Sequence, residues 1–252
     1  MSYLLLIKIL LMPPLIAGVT LAVRRWGAGI GGWVGGFPWV AGPISFFMAL
    51  EQGTSFAAST IPSALMGSIG TVCFAFVYAS LASRMSWLPT VLLSYLAYFA
   101  VALLSLHHTP ALPLALLLNL GVLSASLYFF PRPDYIPPII KQPRFDIPLR
   151  MAVATGFVLV LTQAAERLGP AWSGLLTPFP IMTSTLAVFT HAQQGAGASA
   201  RILYGLMLAG YGFVAFLVGV FWLVPGMPVG WAYGLLTVGT MLLNGLTLRL
   251  LR

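Results

Sequence analysis

The chain has 252 residues, 60 % of them hydrophobic and 6 % charged, with a mean hydropathy of +0.98 and a formal net charge of +8. A water-solvated domain carries about 25 % charged residues, so the composition excludes a soluble globule and describes a polytopic integral membrane protein. The positive charge forms no cluster clear of the apolar runs, so it reads as the bias of membrane loops and not as a nucleic-acid surface.

Nine membrane-spanning helices are expected in an all-α bundle, at 4–23, 28–50, 57–83, 87–106, 111–130, 147–165, 169–190, 200–223 and 228–249. Each run is about the length needed to cross a hydrocarbon core of about 30 Å. The first run continues to Val23 without a small-residue cleavage site, so it reads as a mature span and not as a cleaved signal. The single cysteine, Cys73, lies inside an apolar run and supports neither a disulfide nor a metal cluster. The proline-rich stretch from Pro131 to Pro148 carries Arg132, Asp134, Lys141, Arg144 and Asp146 and reads as a hinge. This gives a first membrane repeat over 1–130, a cytoplasmic linker over 131–147 and a second repeat of four spans over 148–252.

Charge fixes the expected orientation. With the N-terminus outside, Arg24, Arg25, Arg84, Arg132, Lys141, Arg144, Arg150, Arg201, Arg249 and Arg252 fall on the cytoplasmic side, and only Lys8 and Arg167 opposite. That is the usual excess of cationic residues in cytoplasmic loops. The expected location is a bacterial inner membrane, with lipid as the solvent.

An internal repeat emerges at a constant offset, the one that carries Phe37 onto Phe179. It relates Phe37-Pro38 to Phe179-Pro180, Gln52-Gly53 to Gln194-Gly195, Gly27 to Gly169, Gly32 to Gly174, Phe47 to Phe189 and Gly70 to Gly212. Lys8 meets Arg150 and Arg25 meets Arg167 at the same offset. Five spans separate the starts of the two copies, and an odd number reverses the second copy in the membrane, which gives inverted-topology repeats. The fifth span has no counterpart.

Each copy carries its Phe-Pro pair near the middle of its second span. Proline removes a backbone donor and clashes with the preceding turn, and in lipid such a break survives only where protein or a hydrated cavity satisfies the freed groups. Gly42-Pro43 after the first break, and Thr183-Ser184-Thr185 after the second, are expected to cap restarting half-helices. Two half-helix N-termini meeting at the midplane suit an anion or a carboxylate end. The candidate binding residues are Phe37, Pro38, Gly42, Pro43, Ser45, Phe179, Pro180, Thr183, Ser184 and Thr185, with Thr177 as a further donor and Trp33 and Trp39 as apolar walls. Tight packing of small and hydroxyl residues is the alternative.

Four residues at the ends of the broken spans, Glu51, Gln52, His191 and Gln194, are candidates for proton coupling or gating, against plain solvation at the interface. Lys8 and Arg150 either line a path for an anion or snorkel to the headgroups. Thr162, Gln163, Asn119 and Asn244 are expected to tie helices together, His107-His108 has no partner for a metal site, and Gly27 to Gly36 read as close helix packing. No serine-hydrolase elbow, zinc-protease pair, phosphate-binding loop or paired carboxylates occur, so no enzyme, cofactor or metal is expected.

The broken, Thr/Ser-rich span with its Gln-Gly exit, over about Gly174 to Ala200 and again over Gly42 to Gly53, resembles the LrgB/CidB family of bacterial inner-membrane proteins. That family's Ser-Val-Thr-Thr-Pro run is absent, and here proline precedes the hydroxyl residues. The resemblance implies an inverted-repeat carrier of small organic acids and transfers no residue. The expected function is a secondary transporter of a small anionic or zwitterionic solute working by alternating access, with a coupling proton or ion and a homo-oligomer both compatible. The alternatives are a non-transporting scaffold or accessory subunit, and a channel.

Overall fold

The computed structural model describes residues 3–107, 109–131, 145–168 and 170–248, and among these every regular element is helical. The chain runs through α1 (Tyr3–Gly35), α2 (Ala41–Glu51), α3 (Thr54–Ser59), α4 (Ile61–Ala82), α5 (Trp87–His107) and α6 (Leu112–Tyr128). It continues through α7 (Asp146–Leu168), α8 (Pro170–Leu176), α9 (Ile181–Gln194), α10 (Ala196–Leu223), a 3-10 turn (Val224–Gly226) and α11 (Val229–Thr247).

Among the described residues, four helical stretches are long and apolar enough to cross a membrane: Ile61–Ala82, Trp87–Leu106, Ala196–Gly226 and Val229–Thr247. α6 is apolar but shorter, at 17 residues. Burial orders them into a centre and a rim. In their apolar windows α4 and α10 are 61 % and 50 % buried, against 33 % for α5 and 28 % for α11. The rim helices turn large apolar side chains outward, among them Leu96, Leu104, Leu117, Leu242 and Leu246. An outward apolar face of that extent fits a hydrocarbon solvent and not water.

Glycine sets how closely the centre is packed. A Cβ built on Gly32 would collide with the Ile202 carbonyl, and one on Gly205 with the Gly29 carbonyl, so α1 and α10 touch backbone to backbone. α8 and α4 meet in the same manner through Gly174, against Thr60 and Ser63, and through Gly67, against Leu175 and Pro178. Apolar side chains gain nothing by leaving lipid for one another, so the dispersion contact of close backbones is what such crossings contribute.

The expected spans 28–50 and 169–190 are each two helical pieces. α1 holds a kink at Gly27 (φ 87°, ψ 170°), ends at Gly35 and gives way to a non-helical Gly36–Val40 before α2. α8 and α9 flank a second non-helical segment, Thr177–Pro180. The first interrupted segment keeps its direction through the gap. Gly32 faces Ile202, Gly36 faces Leu206 and Ala209, and Gly42 faces Phe216, a steady advance along α10. Fourteen residues of helix cover about 21 Å.

Some residues separated by the offset of the expected repeat share backbone features. Gly53 and Gly195 hold positive φ angles of 95° and 89°, which glycine adopts without strain, and each directly precedes a helix. Trp39 N donates to Phe37 O at 2.7 Å, as Ile181 N does to Phe179 O; Gly42 N donates to Pro38 O at 2.8 Å, as Ser184 N does to Pro180 O. α5 and α11 start at the matching positions Trp87 and Val229. Contacts between the halves exchange in the same register: Gly32 on Ile202 answers Gly174 on Thr60, and Gly36 on Ala209 answers Gly67 on Pro178.

Two expectations are corrected here. Asp146 is not linker but the first residue of α7. Arg150 does not snorkel: it is 2 % exposed and its Nε donates to Asp146 Oδ1 at 2.9 Å, because a buried guanidinium needs a counter-charge more than its stem needs lipid.

Candidate functional site

Each gap must dispose of the backbone groups that proline releases. In the first, the Val34 carbonyl accepts from Phe37 N at 3.3 Å and from the Trp39 indole Nε1 at 2.6 Å, so the segment satisfies itself locally. The second is held from a distance. Tyr98 on α5 donates its hydroxyl to Leu175 O at 2.8 Å, and Thr71 on α4 donates to Pro178 O at 2.5 Å. Neither Thr71 nor Tyr98 was a candidate from sequence, and no local signal marks them, because each reaches across 107 and 77 residues of chain.

The expected caps are not the caps. The residues preceding α2 and α9 are Val40 and Pro180, and neither makes a side-chain capping bond. Gly42 and Pro43 already lie inside the first turn of α2, and Thr183, Ser184 and Thr185 inside the first turns of α9. The Phe-Pro turn closes on itself through the short bond to Phe37 O or Phe179 O, so the helix restarts one or two residues earlier than the hydroxyls would place it. In consequence the amides of Val40 and Ala41, and of Met182 and Thr183, have no backbone acceptor among the described residues.

Those four residues line one cavity of about 100 Å³, walled by Gly35 to Ala41 from the first gap and by Thr177 to Pro180 with Met182 and Thr183 from the second. α4 contributes Ser68 and Thr71, α6 contributes Leu123, and α10 contributes Leu206, Met207, Gly210 and Phe213. No charged side chain lines it. The polar groups of its lining residues are hydroxyls and backbone groups, among them first-turn amides of α2 and α9, and helix N-terminal amides favour a negative or strongly dipolar guest.

Of the expected binding residues, Phe37, Pro38, Phe179, Pro180 and Thr183 line this cavity. Gly42 and Pro43 line a second cavity of about 460 Å³, which shares the Phe37-Pro38-Trp39 wall. Ser45 is buried and paired with the Tyr233 hydroxyl at 2.6 Å. Ser184 donates to Ile181 O at 3.2 Å, and Thr185 is 3 % exposed with no partner for its hydroxyl among the described residues.

Glu51 and Gln52 are exposed at the end of α2, and Gln194 is half-buried at the end of α9. His191 Nδ1 lies 3.2 Å from the Tyr78 hydroxyl. None of the four lines the central cavity. Asn119 joins α6 to α4 through Leu65 O at 2.7 Å and Ser68 Oγ at 2.8 Å. Asn244 packs against Gly212, its amide unpaired among the described residues. The side chains of Lys8, Thr162, Gln163, Arg167 and His107, and all of His108, lie outside the described residues.

The ends of α1, α7 and α9 meet in an ionic cluster that sequence reasoning missed. The Asp146 carboxylate, fully buried, accepts from Arg24 at 2.8 Å, Arg150 at 2.9 Å and Gln193 Nε2 at 2.5 Å. Arg150 also lies over the Phe189 ring, 4.9 Å from its centroid. Burial alone would raise the Asp146 pKa, but the bonds from Gln193, Arg150 and Arg24 outweigh it and hold the carboxyl below its usual range.

Among the described residues, fold and site together define an all-helical protein with four helices of membrane-crossing length and composition and a small cavity between two interrupted segments. No protein family, no curated protein and no solved structure matches the chain.

Proposed function

We propose that this protein is a secondary transporter that moves a small anionic or zwitterionic organic solute across a bacterial inner membrane by alternating access. The observation that carries the reading is the shared cavity. Two interrupted segments, related by the sequence repeat, close on it, and each presents first-turn amides with no backbone acceptor.

Inverted-topology repeats are the architecture that fits. In support, Arg24, late in α1, bonds Asp146, the first residue of α7, as first helices running in opposite directions would require. α3, at the head of the α4 run, packs against the 3-10 turn at the tail of α10, a contact that suits a reversed pair. Counting each interrupted segment as one crossing gives nine spans, with α6 outside the repeat, the N-terminus outside and the C-terminus cytoplasmic. Broken helices with paired N-termini at the midplane are a recurring way to hold an anionic group in lipid.

Gly32, Gly174, Gly205 and Gly67 are consumed by internal crossings, so a scaffold that docks a partner through these four is disfavoured. The test is solute flux into proteoliposomes, screened over small carboxylates and amino acids. Thr183→Val, Ser184→Ala and Pro180→Ala are expected to reduce flux while the protein still elutes as a folded species. Unchanged flux in all three would remove the proposed site, and unitary currents across a planar bilayer would make the protein a channel instead.

A further inference from the structure

The 460 Å³ cavity has no charged residue in its wall and is rich in aromatic rings, with Phe46 and Phe216 beyond the shared Phe37-Pro38-Trp39 wall. The place related to it by the sequence repeat is packed solid. There Phe179 stacks on Tyr95 with centroids 5.6 Å apart, meets Tyr98 edge-on at 5.0 Å and lies 6.1 Å from Phe157. The difference is one of residue type and not of side-chain rotation. α11 has Thr237 and Thr240 where α5 has Tyr95 and Tyr98, and α1 has Leu15 where α7 has Phe157. Three large rings thus give way to smaller side chains next to the Phe37-Pro38 turn, while further along the same wall Phe46 and Tyr233 stand where the other half has Val188 and Val91, so the space lies beside the turn.

Two further facts suit that space to a guest. Thr240 is 4 % exposed and lines the cavity, so a threonine stands in an otherwise largely apolar wall. The space is also half open, with Met241 in its wall 45 % exposed and Thr237 exposed, so a guest can enter it from the face of α11. Gly42 and Pro43 line this cavity, the preceding Val40 and Ala41 line the central one, and Phe37, Pro38 and Trp39 line both, so the two chambers adjoin across one wall.

We propose that the larger cavity seats the apolar body of a monocarboxylate, a ring or branched alkyl group, whose carboxylate reaches the unbonded amides of the central cavity. The placement of the carboxylate rests on the transport reading; the seat for the apolar body rests on the replacement of Tyr95, Tyr98 and Phe157 by Thr237, Thr240 and Leu15.

The experiment is calorimetric binding of phenylacetate and of acetate to the purified full chain in nanodiscs. Wild type is expected to bind phenylacetate at least roughly tenfold more tightly than acetate, since a buried ring adds several methylene equivalents of apolar surface. Thr240→Tyr and Leu15→Phe, which install the counterpart residues from two different helices, are each expected to weaken phenylacetate roughly tenfold and leave acetate unchanged. If Thr240→Tyr does not fold, Leu15→Phe decides. Equal affinity for the two acids, no saturable phenylacetate binding, or variants that bind phenylacetate like wild type would each overturn the proposal. So would native mass spectrometry showing a phospholipid held one-to-one by wild type and lost in Thr240→Tyr, which would assign the space to a lipid chain. Thr183→Val separates the two ideas: it should weaken both acids, and if it weakens neither while the filling variants still act on phenylacetate, the central site fails and the apolar seat stands.

Discussion

Replacing Thr71 by valine removes one hydrogen bond and almost nothing else. The two side chains have nearly the same shape, so no cavity opens, and the loss falls on the Pro178 carbonyl that Thr71 holds at 2.5 Å. A buried acceptor left without a donor costs about 1–3 kcal/mol. Thr71 and Pro178 both border the central cavity, so water entering it can meet part of that need, which places the expected loss at about 1–2 kcal/mol. In a chain of this length that corresponds to a fall in Tm of about 3–6 °C. Thr71→Ser keeps the donor and gives up one half-buried methyl, a loss of under about 1 kcal/mol. Thermal unfolding in detergent should therefore rank wild type above serine and serine above valine. Valine equal to or above serine would show that the hydroxyl does not hold the gap open, and the account of how the second segment is satisfied would be wrong.

Other perturbations test the packing and the charges. Gly32→Ala forces a Cβ into the Ile202 carbonyl and should cost at least the roughly 1–3 kcal/mol of overpacking, while Gly121→Ala, where a Cβ meets nothing within 4 Å, should be neutral or gain up to about 1 kcal/mol from helix propensity; Tm values of the two variants decide. Asp146→Asn leaves Arg150, 2 % exposed, without its counter-charge and should cost about 3 kcal/mol at neutral pH. Because the Asp146 pKa is lowered in the folded protein, its contribution is present above the ordinary carboxylate range and is lost as pH falls through the folded value; wild-type Tm should drop below about pH 4 more steeply than that of the variant. Burial lowers the His191 pKa, so the unfolded chain takes up the proton first and acidification through about pH 6.5 should destabilise wild type but not His191→Gln, read as Tm against pH.

Much of the helical layout is legible in the sequence because membrane helices are specified by local composition. The expected span 87–106 is α5 at Trp87–His107, and 228–249 is α11 at Val229–Thr247. The positions of the gaps were legible too, since proline acts on its own turn and the Phe-Pro pairs at Phe37 and Phe179 mark them directly. What was not legible is who satisfies those gaps. Thr71 and Tyr98 act through tertiary contact, and nothing in their own neighbourhoods distinguishes them from threonines and tyrosines that merely pack. Asp146 was hidden for a different reason. It sits at the edge of a proline-rich, charged stretch where composition suggests solvent, and only the arrival of Arg24 and Gln193 from distant helices makes it a buried anchor.

The two arms of the site are held on different terms. The first satisfies its exposed carbonyl with its own tryptophan, five residues along, so its conformation can form as soon as the segment does. The second relies on hydroxyls from α4 and α5, and its Phe179 is surrounded by Tyr95, Tyr98 and Phe157. It cannot be completed until those helices have docked, and any displacement of α8 and α9 relative to α4 must break Thr71–Pro178. The first arm, with open space beside Phe37 and Trp39, pays no such cost for a change in side-chain position. In the proposed transporter, side-chain rearrangement in response to a guest would therefore fall to the first arm and fixed polar recognition to the second, where Thr183 stands at the cavity wall in a segment braced by two long-range hydrogen bonds.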